Sequence, residues 1–82
     1  MGWRDVISKV DEEIKVLDEI EIKNEDDYLN YLRILQDIFI LLNVARKTAE
    51  KEGEKDLAMQ EITKIIGSLN KYIDEMNRYK GW

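Results

Sequence analysis

Apolar side chains recur every three or four residues along nearly the whole chain. In the first segment they fall at Trp3, Ile7, Val10, Ile14 and Leu17, with Val6 widening the stripe. That spacing follows one face of an α-helix. After Leu17 the register breaks, because Glu21 takes the next apolar place while Ile20 and Ile22 stray from the stripe. The helix is therefore predicted to end between Ile20 and Lys23. Asn24 ahead of Glu25, Asp26 and Asp27 reads as a helix start, an Asn cap followed by acids that complement the positive end of the helix dipole. A second stripe runs through Tyr28, Tyr31, Leu35, Ile38, Leu42, Ala45 and Ala49, and Gly53 behind Arg46, Lys47 and Lys51 supplies its stop. The third stripe holds Ala58, Ile62, Ile65, Leu69, Tyr72, Met76 and Tyr79, flanked by Met59, Ile66 and Ile73. Gly67 falls opposite this stripe and the register passes through it unbroken. One continuous helix is predicted there, carrying a glycine penalty of about 1 kcal/mol.

The pattern predicts helices at about 3–21, 25–52 and 54–80. At ~1.5 Å per residue the first is about 25–30 Å long and the other two are near 40 Å. Short connections around Asn24 and Gly53 make successive helices antiparallel neighbours. The expected fold is all-α, an up-down-up antiparallel three-helix bundle forming a single domain over 1–82, with helix 1 shorter than helices 2 and 3. Helix 1 is expected to cover helix 2 from about Tyr28 to Arg46. The Gly53 end is then a two-helix projection, with Ala49 and Ala58 small enough to let the pair approach. On the outer surface, Asp5 with Lys9, Asp11 with Lys15 and Glu19 with Lys23 are predicted to pair at i,i+4.

Composition narrows the chemistry. The chain has no histidine, cysteine or proline. It thereby lacks the commonest general base, the commonest transition-metal ligand and every thiolate reaction. The hydroxyls of Ser8, Thr48, Thr63 and Ser68 lie mid-helix with no histidine to activate them. Glu25, Asp26 and Asp27 are consecutive on a helix, so they diverge by about 100° per residue and cannot converge on one ion. Arg4, Arg33, Arg46 and Arg78 are too dispersed to grip a dianionic substrate. No catalytic residue, cofactor or metal site is expected. The net charge of −5 and a sequence pI near 4.7, without any basic run, argue against nucleic acid. The longest apolar run, Ile38–Leu42, is far short of the roughly 20 residues that cross a bilayer, and the Trp, Arg, Asp and Lys within Met1–Val10 lead us to expect no secretory signal there. A soluble protein is expected, cytoplasmic if natural.

Residues 38–45, IFILLNVA, concentrate apolar side chains in a chain that is 38% charged. Taking about 100° per residue, Ile38, Leu42 and Ala45 face the bundle centre, and Phe39 and Leu41 flank it on the sides of two neighbours. Burial is thus expected for five of the seven apolar residues. Ile40 and Val44 point outward together, with Leu29 farther along that side and Arg33, Asp37 and Lys47 around them. Amphipathic helices dock through such i,i+4 anchors. Leu29, Arg33, Ile40 and Val44 are therefore the candidate surface for a protein partner or a homodimer through helix 2.

The chain begins Met1-Gly2-Trp3 and its last two residues are Gly81-Trp82, directly after the third helix. With near-unbroken heptads, minimal loops, no Cys, His or Pro and acid-to-base i,i+4 pairs, the whole chain resembles computationally designed three-helix bundles. The resemblance implies a stable scaffold made to fold or to bind, with no native substrate.

Overall fold

The computed structural model describes residues 2–79 and is a three-helix bundle. α1 spans Trp3–Glu19, α2 Glu25–Lys51 and α3 Lys55–Asn77, with no strand among the described residues. Every helix pair is in contact, and α1 rests chiefly on α2. Lys80, at the end of the predicted third helix, lies outside the described residues, as do Met1 and the Gly81-Trp82 terminus.

Local chemistry sets the two turns. The Asn24 side chain accepts the Asp27 N–H at 2.9 Å, and the Asp27 carboxylate accepts the Lys23 N–H at 3.0 Å, so the first turn of α2 is capped reciprocally. At the other end Gly53 takes φ 74°. Its N–H donates to the Glu50 carbonyl at 3.3 Å and the Glu54 N–H to the Ala49 carbonyl at 2.8 Å. These are the paired bonds of a Schellman stop, which needs a left-handed residue that glycine adopts without strain. α3 runs unbroken through Gly67, as its register predicts.

The segment between α1 and α2 differs from expectation. α1 ends at Glu19, and Ile20 already has extended dihedrals, φ −83° and ψ 123°. From there Ile20 and Ile22 turn inward while Glu21 and Lys23 stay exposed. Ile22 retains only 6% exposure. What reads as a ragged helix end is instead an alternating, period-two strap.

The strap moves α1 toward the opposite end of the bundle. At ~1.5 Å per residue, α1 is about 25 Å long and α2 about 40 Å, and five extended residues at ~3.3 Å supply the difference of about 15 Å. Trp3 consequently reaches the Gly53 turn. Its backbone N–H donates to Glu52 and its indole N–H to Glu54, both at 3.0 Å. No two-helix projection exists at that end, because Trp3 is buried there with Ala45, Ala49 and Ala58 in the core. The small alanines leave the space that the indole fills.

The surface pairs also depart from expectation. None of the three predicted i,i+4 pairs of α1 closes within 4 Å. Asp5 instead accepts the Gly2 N–H at 3.2 Å, and Lys23 approaches Glu21 at 3.8 Å. With both partners solvated, little holds such a pair in one geometry.

Candidate interaction surface

The two flanks of α2 meet different neighbours. Ile40, Leu41 and Asp37 line a shallow depression of about 390 Å³ with Lys9, Glu12 and Glu13 of α1, so α1 covers the Leu41 side. α3 turns its Tyr72 side toward α1, where the Tyr72 hydroxyl donates to Asp18 at 2.5 Å. The remaining flanks, Phe39 with Leu32 on α2 and Ile66 with Ile73 on α3, border the groove between those two helices.

All four sequence-predicted partner residues are exposed. Ile40 is 60% exposed, the most of any large hydrophobic among the described residues, while Leu29, Val44 and Arg33 are also open to solvent. Ile40 and Val44 stand one turn apart. Leu29 lies about 16 Å of axial rise before Ile40. The four thus form a ridge along α2 rather than one compact patch.

Val16 of α1, 45% exposed, sits one turn beyond Glu13 on the side of α1 that faces the ridge. The heptad stripe of α1 does not contain it. Finding it requires the antiparallel register of α1 on α2, which the strap sets.

Phe39 is a correction. It is 41% exposed and not a buried flank residue, whereas Leu41 is partly buried as expected. A helix lies over the Leu41 side, but none of the described helices covers the groove between α2 and α3. A side chain about 100° from Ile38 therefore rests on the groove's rim. Four of the seven apolar residues in 38–45 are accounted for by the core, not five. Ile66 and Ile73 share that uncovered groove and are likewise exposed.

The chain matches no family model, curated protein or solved structure.

Two polar features flank these surfaces. Near the strap, Leu17, Asp18, Ile20, Tyr31, Tyr72 and Glu75 contribute to an open depression of about 400 Å³. Tyr31 and Tyr72 are buried, their rings tilted at 47° with centroids 6.4 Å apart. Burial, reinforced by the charges of Glu75 and Asp18, pushes the Tyr31 hydroxyl up to about 12. Burial and then the hydrogen bond to Asp18 push Tyr72 to about 12 as well. At neutral pH these hydroxyls are proton donors, and Tyr72 spends its proton on tying α3 to α1. In the other depression, one Glu13 carboxylate oxygen is buried without a hydrogen-bond partner. Burial, and then the charge of Asp37, raise its pKa above the ordinary value. No group of acids able to hold a metal ion occurs among the described residues.

Proposed function

We propose that the chain is a non-catalytic helical bundle that works as a protein-interaction module through the outer ridge of α2. The observation that carries this reading is the exposure of Ile40 at 60%, one turn from exposed Val44, in a chain that is 38% charged. β-branched residues are not favoured by a solvated helix surface, which is better served by Lys, Glu or Gln. A helix laid against the ridge would bury both side chains, with Arg33 and Asp37 at the rim to orient it.

A second reading is a computationally designed scaffold whose only property is folding, with no native substrate. The uninterrupted three-and-four spacing of α2 and α3 favours it. Displayed helical peptides selected on the wild-type chain separate the two. The interaction reading expects binders with i,i+4 apolar anchors that an Ile40→Glu/Val44→Lys variant of undiminished helicity no longer retains. Recovery of no such peptide, or equal retention by the variant, refutes it in favour of the scaffold.

A further inference from the structure

Apart from the α2 ridge, we propose that the depression at the strap end of the bundle binds a primary alkylammonium ion, whose N–H groups pair with the Tyr31 hydroxyl and the Asp74 carboxylate. Its volume of about 400 Å³ lies at the small end of the roughly 300–1,000 Å³ that small-molecule sites span. Tyr31 is the group that asks for a ligand. It is only 2% exposed, yet no group of the described residues hydrogen-bonds its hydroxyl, which reaches the depression. A side chain buried so deeply ordinarily finds a partner for its polar end. Tyr72, beside it, does so through Asp18.

Charge selects a cation. Among the groups lining the depression, Lys71 approaches Asp18 at 3.8 Å and Arg78 approaches Glu75 at 3.4 Å. The Asp74 carboxylate is left without an ion pair or hydrogen bond among the described residues. The unmatched charge is therefore negative. At the Tyr31 hydroxyl the field has the same sign, because Glu75 and Asp18 outweigh Lys71 and Arg78 there. An anion would be repelled, whereas an ammonium gains, and its three N–H donors suit a hydroxyl lone pair and a carboxylate together. Lys71 already plays this part at the rim, with its Nζ near Asp18 and 4.8 Å from the centroid of the Tyr72 ring. Residues 18–27, which begin at the depression, hold six acids and one lysine, a net −5 that concentrates cations at its mouth. Leu17 and Ile20 supply an apolar wall for a short alkyl stem.

NMR titration with n-pentylammonium at neutral pH, followed on the Tyr31 and Tyr72 ring resonances, tests the proposal. Saturable shifts with a Kd of about 1–10 mM are expected, and 1-pentanol and pentanoate should produce none. Pentyltrimethylammonium, which keeps the charge and the stem but has no N–H, should bind about tenfold more weakly. Tyr31→Phe removes a hydroxyl that nothing in the chain holds, so helical circular dichroism should stay unchanged while pentylammonium binding falls about tenfold. Asp74→Asn, at an exposed position, should weaken binding about threefold, and Glu61→Gln, an exposed acid elsewhere on α3, should leave it as it is. Four results each overturn the proposal. They are no saturable shift at the two rings, equal binding of the alcohol, the carboxylate or the trimethylated cation, unchanged binding in Tyr31→Phe or Asp74→Asn, and a loss in Glu61→Gln as large as that in Asp74→Asn.

Discussion

Replacing Ile22 by alanine distinguishes a structural strap from an ordinary connecting loop. Ile22 is 6% exposed although it lies in no helix. Truncation removes three carbon groups, each worth about 0.8 kcal/mol when buried, so the transfer loss alone is about 2.4 kcal/mol. A cavity term adds to this, reduced because an irregular segment can settle inward. About 3 kcal/mol is expected, inside the usual 2–5 for Ile→Ala in a core. For a domain of this length a total stability of about 4–12 kcal/mol makes that loss large, and it corresponds to a fall in Tm of about 12–24 °C. The control is Glu21→Ala, next door in sequence but exposed, with only a solvated 3.8 Å contact to Lys23. It should change stability by less than about 0.5 kcal/mol. Urea unfolding followed by circular dichroism and by tryptophan fluorescence reads both variants. Coincident transitions license the two-state treatment. If Ile22→Ala costs no more than Glu21→Ala at unchanged m value, the strap does not bear on the core, and the reasoning fails.

Two further outcomes follow from the same packing. Tyr31 and Tyr72, pushed up to about 12 from an ordinary 10.0, are held neutral by the fold. Their contribution is fully present below pH 10 and is lost as pH rises through 12. Absorbance titration, with Tyr→Phe variants to assign the signal, should find Tyr31 and Tyr72 ionising late, together with loss of helicity. Ionisation of Tyr31 and Tyr72 near the ordinary 10.0 with helices intact would contradict this. Gly67→Ala should stabilise by about 0.5–1 kcal/mol, since an added Cβ meets nothing within 4 Å. A destabilised variant in denaturant titration would mean that Gly67 has a role within its own bundle.

Much of the architecture was legible before any coordinates. The three-and-four spacing located all three helices, and Asn24 and Gly53 marked the starts and stops because capping and left-handed turns depend on nearby backbone alone. The exposure of Leu29, Arg33, Ile40 and Val44 was legible for the same reason, since a residue opposite a helix's own stripe faces away whatever the neighbours do. Ile20 and Ile22 were misleading, because two inward residues in five are too few for period two to stand out from a fraying helix.

Tertiary structure decided what depends on axial and lateral placement. The strap's reach slid α1 toward the Gly53 end, brought Trp3 to Glu52 and Glu54, and set Val16 beside the α2 ridge. Whether a flank residue is buried depends on whether a helix lies over its side, so Leu41 is partly covered while Phe39, Ile66 and Ile73 are left open. The sequence by itself determined which way each side chain faces on its own helix, because that is a local, periodic property. Only the assembled bundle determined which of those faces have a neighbour, because that depends on the lengths and offsets of all three helices at once.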